Sequence, residues 1–155
     1  MTIAPGDTLP DLTLTAPDGT PVRLADFTGH KLVLFFYPKD DTPGCTTENI
    51  DFSALADDFA KARTALLGIS KDPPKKHQKF IAKHGLTAPL ASDAETEGLS
   101  DVLGFWTEKS MYGRSYLGMV RSTVLVGTDG KVALVWSPVK VKGHAAEVLK
   151  AAQAL

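Results

Sequence analysis

Two apolar runs of the chain predict the centre of a β-sheet. Residues 31–37 read KLVLFFY, and residues 65–70 read ALLGIS. Both runs are rich in strand-forming residues, and neither alternates between apolar and polar positions, which indicates strands that are buried on both faces. Two further strands, 121–126 and 131–136, are predicted on either side of GTDG at 127–130, a sequence typical of a hairpin turn.

Between the strands, apolar residues recur at helical spacing. A first helix follows Thr42-Pro43, which resembles an N-cap hydroxyl and a proline at the first helical position. Its buried stripe has the spacing i, i+3, i+4, i+7: Phe52, Leu55, Ala56 and Phe59. A second helix follows Asp72-Pro73 and ends at Gly85, with an inward face of His77, Phe80, Ile81 and His84. A last amphipathic helix runs through residues 145–152.

The remaining segments complete the order β-α-β-α-β-(α)-β-β-α. Residues 11–15 and 22–24 flank a Pro-Asp-Gly turn and predict an N-terminal β-hairpin. Residues 89–91 predict a short strand, and residues 94–102 predict a short helix. Residues 106–119 lack a clear period and predict a long loop, of the kind that is usually functional. The whole order favours an α/β sandwich, with a mixed central β-sheet flanked by helices, in one domain over residues 1–155.

Composition and charge narrow the classes of function. With 17 basic and 18 acidic residues, the net charge of −1 argues against a nucleic-acid-binding surface or a polybasic membrane patch. The first residues resemble no secretory signal, and no apolar run nears the roughly 20 residues that span a bilayer. We therefore expect a cytoplasmic protein that binds neither nucleic acid nor membrane.

Neither a metal site nor a cofactor site is predicted. The four histidines, His30, His77, His84 and His144, form no cluster with ligand spacing. The sequence also has no glycine-rich phosphate loop and no C-x-x-C motif. The chain contains one cysteine, so any disulfide bond must join it to another molecule.

That cysteine, Cys45, falls in the first turn of the predicted first helix. Unpaired backbone N–H groups and the positive end of the helix dipole favour an anion there, and a thiolate is such an anion. The preceding turn lies at the carboxyl end of a central strand, where α/β folds place their ligand sites. Free cysteines are also often buried as small apolar residues. Position alone therefore leaves two interpretations open, a nucleophile and a packing residue.

The sequence YPKDDTPGCTTE at 37–48 resembles the active-site signature of the peroxiredoxins, in particular of their bacterioferritin-comigratory, or PrxQ, branch. The resemblance covers nearly the whole chain and includes GISKD at 68–72, LGFWTEK at 103–109 and an Arg-Ser-Thr strand at 121–123. It implies a thioredoxin-like fold. It also implies a peroxidase that reduces hydrogen peroxide and organic hydroperoxides through a sulfenic acid on Cys45.

The resemblance implies a role for each residue around the sulfur. Cys45 would be the peroxidatic nucleophile, and Thr42 would offer its hydroxyl to the substrate or to the sulfur. Arg121 would hold the thiolate and the developing negative charge with its fork of donors. Pro38 would shield the sulfenic acid from solvent, and the backbone N–H groups of Gly44 and Cys45 would bind a peroxide oxygen.

Several of these residues have simpler structural alternatives. The Thr42 hydroxyl could cap the helix, Pro38 could end the strand, and Arg121 could be a solvated residue at the flank of a strand. Glu48, one turn into the helix, suits the helix dipole, and we interpret it as structural or as an organiser of the arginine.

The sequence departs from many members of the branch at position 50. A second, resolving cysteine often follows the first by five residues, and here that position is Ile50. The other common position, in a later helix, also lacks a cysteine. We therefore expect a 1-Cys peroxidase recycled by an external thiol, with thioredoxin, glutaredoxin or glutathione as candidates, and a monomer or weak dimer. The alternatives are a non-catalytic thioredoxin-fold binding module and a peroxide sensor that passes oxidation to a partner.

Overall fold

The computed structural model describes residues 2–94 and 97–155. In chain order its strands are β1 Thr13–Thr15, β2 Pro21–Arg23, β3 Lys31–Phe36, β4 Thr64–Ser70, β5 Leu90–Ser92, β6 Trp106–Met111, β7 Arg114–Met119, β8 Ser122–Val126 and β9 Val132–Trp136. Its α-helices are α1 Pro43–Ala54, α2 Ala56–Lys61, α3 Pro74–His84, α4 Leu99–Val102 and α5 His144–Ala154, and a 3₁₀ turn spans Leu24–Phe27.

Among the described residues, seven strands form one mixed sheet in the order β2-β1-β5-β4-β3-β8-β9. Strand β4 pairs in parallel with β3 and with β5, whereas β8 pairs antiparallel with both β3 and β9. Strands β1 and β2 form the predicted antiparallel hairpin at the opposite edge. The predicted mixed sheet with helices on its faces and a hairpin near the N-terminus is confirmed.

Strand β3 is buried on both faces because its side chains alternate between two apolar cores. Leu34 and Phe36 pack into the core that includes α4 and the N-terminal hairpin. Phe35 and Tyr37 pack into the core beneath α1, α2, α3 and α5. On that side the rings of Phe35 and Phe52 stack with centroids 4.3 Å apart. Helix α1 therefore lies directly against the central strand that leads into it.

The loop predicted over residues 106–119 is wrong, because these residues form a two-stranded antiparallel hairpin, β6 and β7. Most of its side chains are exposed, so the hairpin lacks the buried face that would give a readable alternation of apolar and polar residues. Its turn has Tyr112 at φ 53° and Gly113 at φ 77°, two positive values that suit a tight hairpin turn. Strand β7 ends two residues before Arg121.

Two predicted helices differ in extent from the observed ones. The apolar stripe from Phe52 to Phe59 spans a break at Leu55, so α1 and α2 are separate helices with both phenylalanines buried. The helix predicted over 94–102 is observed only as Leu99–Val102, while Ala94 is not helical and residues 95–96 lie outside the described part. Asp93 sets the later start, since its carboxylate accepts from the Leu99 and Ser100 N–H groups.

Candidate active site

The turn from β3 into α1 places Cys45 at the amino end of a helix, as the sequence predicts. Thr42 occupies the N-cap position with extended backbone, and Pro43 is the first helical residue. Cys45 then lies in the first helical turn, where backbone N–H groups have no helical acceptor. Its side chain is free of any disulfide and is only 1% exposed.

Sheet pairing brings Arg121 to this cysteine from a distant part of the chain. Strand β8 runs antiparallel to β3, with Ser122 opposite Phe36, so the residue before β8 lies beside the turn that follows β3. Arg121 Nη2 donates to Cys45 Sγ at 3.4 Å. Its other terminal nitrogen, Nη1, donates to Glu48 Oε1 at 2.7 Å. The guanidinium thus joins a residue of the first turn of α1 to a carboxylate one turn further along.

Charge at this site depends on the three groups together. Burial alone would lower the pKa of Arg121, but the Glu48 carboxylate and the Cys45 sulfur outweigh it and raise the pKa. Burial raises the pKa of Glu48 to about 7 against the opposing effect of Arg121. Among the described residues, Glu48 Oε2 has no hydrogen-bond partner, which is consistent with a carboxyl group that is costly to ionise. The interpretation of Glu48 as the residue that organises the arginine agrees with this geometry.

The hydroxyl of Thr42 does not cap α1. It donates instead to the backbone carbonyl of Lys39 at 2.8 Å. A hydroxyl has one proton and two lone pairs, so this bond commits the proton and leaves the oxygen of Thr42 as an acceptor. The alternative in which the side chain caps the helix is therefore wrong, and the group is prepared to receive a hydrogen bond.

The other two predicted site residues lie on the same turn. A Cβ atom added to Gly44 would lie 3.1 Å from Arg121 Nη2, so a larger side chain would crowd the guanidinium. Pro38 is exposed and lies two residues after Phe36, the last residue of β3. The structure thus brings Cys45, Thr42, Gly44 and Arg121 to one site and puts Pro38 at the start of the turn, where its shielding role stays a prediction.

The buried residues that hold this turn in place were not predicted from the sequence. Asp40 is 2% exposed, and its carboxylate binds both the Tyr37 hydroxyl and the His77 ring at 2.6 Å. Outside this buried group of three, Asp41 binds Lys83 at 2.7 Å and His84 at 2.8 Å. The available signal is the inward-facing His77 on α3, which the apolar spacing indicates only as part of a helix face.

The raised pKa of Glu48 predicts how stability depends on pH. Because the folded-state pKa of about 7 lies above the reference value of 4.5, the folded protein holds this proton more tightly than the unfolded chain. The extra stability that protonated Glu48 gives the folded protein is fully present below pH 4.5 and is lost as the pH rises through about 7. We expect it to amount to about 3 kcal/mol in the free energy of unfolding.

Denaturant titrations of wild type and Glu48→Gln at pH 4.5 and pH 7 would measure this difference. The substitution removes the titrating group, so the loss of stability with rising pH should shrink in the variant. Glu108→Gln, at an exposed position of β6, is the control and should behave as wild type. An undiminished pH dependence in Glu48→Gln would contradict the assignment.

Comparisons with known proteins agree with this site. The profile of the AhpC/TSA family matches residues 5–135. The chain is 48% identical over 144 residues to peroxiredoxin Bcp of Xanthomonas campestris pv. campestris, with 93% of this chain and 89% of the relative covered. It is 43% identical over 150 residues to peroxiredoxin Bcp of Bacillus subtilis, with 97% and 95% covered.

Solved structures give the same result for the fold. The X. campestris bacterioferritin comigratory protein, whose structures concern its alkyl peroxide reduction activity, matches with a TM-score of 0.88 at 44% identity, covering 96% of this chain and 98% of that one. Peroxidoxin BcpB of Mycobacterium tuberculosis matches with a TM-score of 0.86 at 35% identity, covering 99% and 98%.

These matches span almost the full length of this chain and of its relatives. They favour a peroxidase over a non-catalytic binding module. None of the helices in the described part of the chain could span a bilayer. The predicted resemblance is thus confirmed in sequence and in fold. The chain belongs to the AhpC/TSA family, as a peroxiredoxin of the Bcp or PrxQ type with a thioredoxin-like fold, a thiol-dependent peroxidase.

Proposed function

We propose that Cys45, Thr42 and Arg121 carry out the peroxidase reaction, with Gly44 and Pro38 shaping the substrate site. The Cys45 thiolate attacks the nearer oxygen of the peroxide, a new S–O bond forms, and the O–O bond breaks. The leaving oxygen takes the electron pair and a proton and departs as water or an alcohol. The sulfur is oxidised to a sulfenic acid, and the peroxide is reduced.

The observation that carries this proposal is the contact of Arg121 with both Cys45 Sγ and Glu48. A guanidinium at 3.4 Å from the sulfur donates to the nucleophile and remains close to the oxygen that the sulfur attacks. Because Glu48 fixes the other side of the guanidinium, the donors are oriented before the substrate arrives.

Thr42 contributes an acceptor. With its own proton committed to the Lys39 carbonyl, the hydroxyl oxygen accepts from the O–H of the incoming peroxide. That bond orients the hydroperoxide so that its nearer oxygen faces the sulfur. The same geometry suits hydrogen peroxide and alkyl hydroperoxides, since both carry an O–H group.

Two substitutions of Thr42 separate the hydroxyl from the shape of the side chain. Thr42→Ser keeps the hydroxyl and should oxidise at a rate within a few-fold of wild type. Thr42→Val keeps the shape and should slow oxidation of Cys45 by roughly 10- to 100-fold, the value of one hydrogen bond to a reacting group. Stopped-flow oxidation by hydrogen peroxide measures both rates. Equal rates for the two variants would show that the hydroxyl plays no part.

Recovery of the enzyme requires a thiol from another molecule. The chain has one cysteine, and Ile50 is 43% exposed on α1, five residues beyond Cys45. The external thiol attacks the sulfenic sulfur, an S–S bond forms and water leaves. A second thiol then attacks the first thiol's sulfur in this mixed disulfide, so that the bond to Cys45 breaks, the Cys45 thiolate is released and the two reductant thiols leave as a disulfide. We propose a small thiol or a thioredoxin-type protein as reductant, acting on a single-domain, cytoplasmic monomer.

A reductant panel tests this half of the cycle. Peroxide turnover should be sustained by at least one of three systems: thioredoxin with its reductase, glutaredoxin with glutathione, or dithiothreitol. Mass spectrometry of the oxidised enzyme should find a sulfenic acid or a mixed disulfide on Cys45. Rapid oxidation of Cys45 with no turnover in any system would instead support a sensor that passes oxidation to a partner protein.

A further inference from the structure

One peptide unit of the active-site turn is held on both sides. The carbonyl of Lys39 accepts the hydroxyl of Thr42 at 2.8 Å, and the N–H of Asp40 donates to Asp72 Oδ2 at 2.7 Å. These two groups belong to the same planar peptide, so whatever orients Asp40 also orients the acceptor of the Thr42 proton. Ser70 donates to the same oxygen of Asp72 at 2.7 Å and keeps that carboxylate in place.

The side chain of Asp40 is fixed more deeply, inside the core between β3, α3 and β5. Its Oδ1 accepts from the Tyr37 hydroxyl, and its Oδ2 lies 2.6 Å from His77 Nδ1. The opposite nitrogen of that ring, Nε2, lies 3.1 Å from the Ala91 carbonyl. Tyr37 and His77 are fully buried, so water does not compete for these bonds.

The partners fix most of the protons in this network. A backbone carbonyl can only accept, so His77 Nε2 carries a proton and donates to Ala91. Burial, followed by the charge of Asp40, raises the pKa of Tyr37 well above its usual range, so its hydroxyl stays protonated and donates. One proton is then shared between His77 Nδ1 and Asp40 Oδ2. His77 therefore links a carbonyl of β5 to the turn that bears Thr42.

We propose that His77 is a positioning residue for peroxide reduction, acting through Asp40 and the Lys39–Asp40 peptide to hold the Thr42 hydroxyl as an acceptor. This inference rests on the proposed role of Thr42. Without the contact between His77 and Asp40, the peptide keeps only its bond to Asp72 and the side chain only its bond to Tyr37. The peptide can then tilt, and the Thr42 hydroxyl is free to turn its proton toward the substrate. The hydroperoxide is then misaligned with the sulfur, while the Arg121 contact to Cys45, made from β8, remains.

Two substitutions of His77 distinguish this contact from bulk packing. An asparagine amide nitrogen lies near the position of Nδ1 and can still bind Asp40, whereas a glutamine amide nitrogen lies near Nε2 and binds Ala91 instead. The readout is the rate constant for oxidation of Cys45 by hydrogen peroxide divided by that for its alkylation by iodoacetamide. Alkylation needs the thiolate but no Thr42, so the ratio isolates alignment of the peroxide.

We expect His77→Gln to lower this ratio by roughly 10- to 100-fold, in line with the cost of a small misplacement of a reacting group. His77→Asn should stay within about threefold of wild type, since a bond to Asp40 is kept. In a Thr42→Val background, where the hydroxyl is already absent, His77→Gln should change the ratio no further. Equal ratios in His77→Gln and wild type would overturn the proposal, as would a full additional loss in the Thr42→Val background.

Further variants test whether a loss of stability alone lowers the ratio and whether Thr42 itself acts in the reaction. Val132→Ala removes buried carbon atoms from β9, the edge strand beyond β8, and should lower stability without changing the ratio. If His77→Gln does not fold, Asp72→Ala releases the same peptide from its other side and should lower the ratio similarly; an unchanged ratio there overturns the proposal. A Thr42→Val variant with a wild-type ratio would refute the role of Thr42 itself, and the inference with it.

Discussion

Replacing Cys45 with serine should reduce peroxide turnover to the uncatalysed rate. The nucleophile is the one group whose bond to oxygen defines the reaction, and its loss in an enzyme costs on the order of 10⁶ in turnover. A serine hydroxyl in the same first turn of α1 meets the same Arg121 donor but ionises far less readily than a thiol. Because serine nearly matches cysteine in size, the fold should be retained.

Peroxide consumption with dithiothreitol as reductant measures this loss, and circular dichroism checks the fold. Thr46→Ser, a change of one carbon at the next residue of the same helical turn, is the control and should keep near wild-type turnover. Full activity in Cys45→Ser would refute the mechanism, since the chain has no other cysteine.

Arg121→Lys should slow oxidation of Cys45 by roughly 10²- to 10³-fold, the usual cost of removing one preorganised donor to a developing charge. Arginine binds Cys45 Sγ and Glu48 at the same time through two different nitrogens. A lysine has a single ammonium and cannot keep both contacts in this geometry. If it binds the carboxylate, the sulfur loses its donor.

The contribution of Glu48 can be separated with a double variant. In Arg121→Lys combined with Glu48→Gln, the ammonium no longer has a buried carboxylate to bind, so part of the oxidation rate should return. Arg114→Lys, at an exposed position of β7, is the matched control and should oxidise at the wild-type rate. Oxidation of Arg121→Lys within threefold of wild type would contradict the proposed role. Single-turnover oxidation by hydrogen peroxide serves for all four proteins.

The sequence predicted the elements whose burial is reflected in apolar spacing. The run 31–37 is a central strand because both of its faces meet a core, and Thr42-Pro43 begins a helix because proline suits its first position. The hairpin of β6 and β7 escaped prediction for the opposite reason, since its exposed strands have no apolar face. Pattern methods detect burial, and this hairpin is held mainly by backbone pairing.

The active site divides in the same way. Cys45 and Thr42 lie three residues apart, so their proximity follows from the sequence. Arg121 lies 76 positions from Cys45 and reaches it through sheet pairing, so its role could be predicted only from the family resemblance. The partnership of Asp40 with His77 spans 37 positions and leaves no periodic signal. The direction of the Thr42 hydroxyl could not be predicted either, because the sequence Thr-Pro-Gly is equally compatible with a helix cap and with a bond to the Lys39 carbonyl.

The exposed Ile50 has a consequence for kinetics. A second cysteine in the same chain would make removal of the sulfenic acid first order, with a fixed half-life that is independent of concentration, although the disulfide formed would still need an external reductant. With one cysteine per chain, the oxidised sulfur waits for a collision, so its recovery is second order. The lifetime of the oxidised protein is then set by how much thiol surrounds it. At steady state its oxidised fraction therefore records the ratio of peroxide to reductant, as an indicator dye records pH.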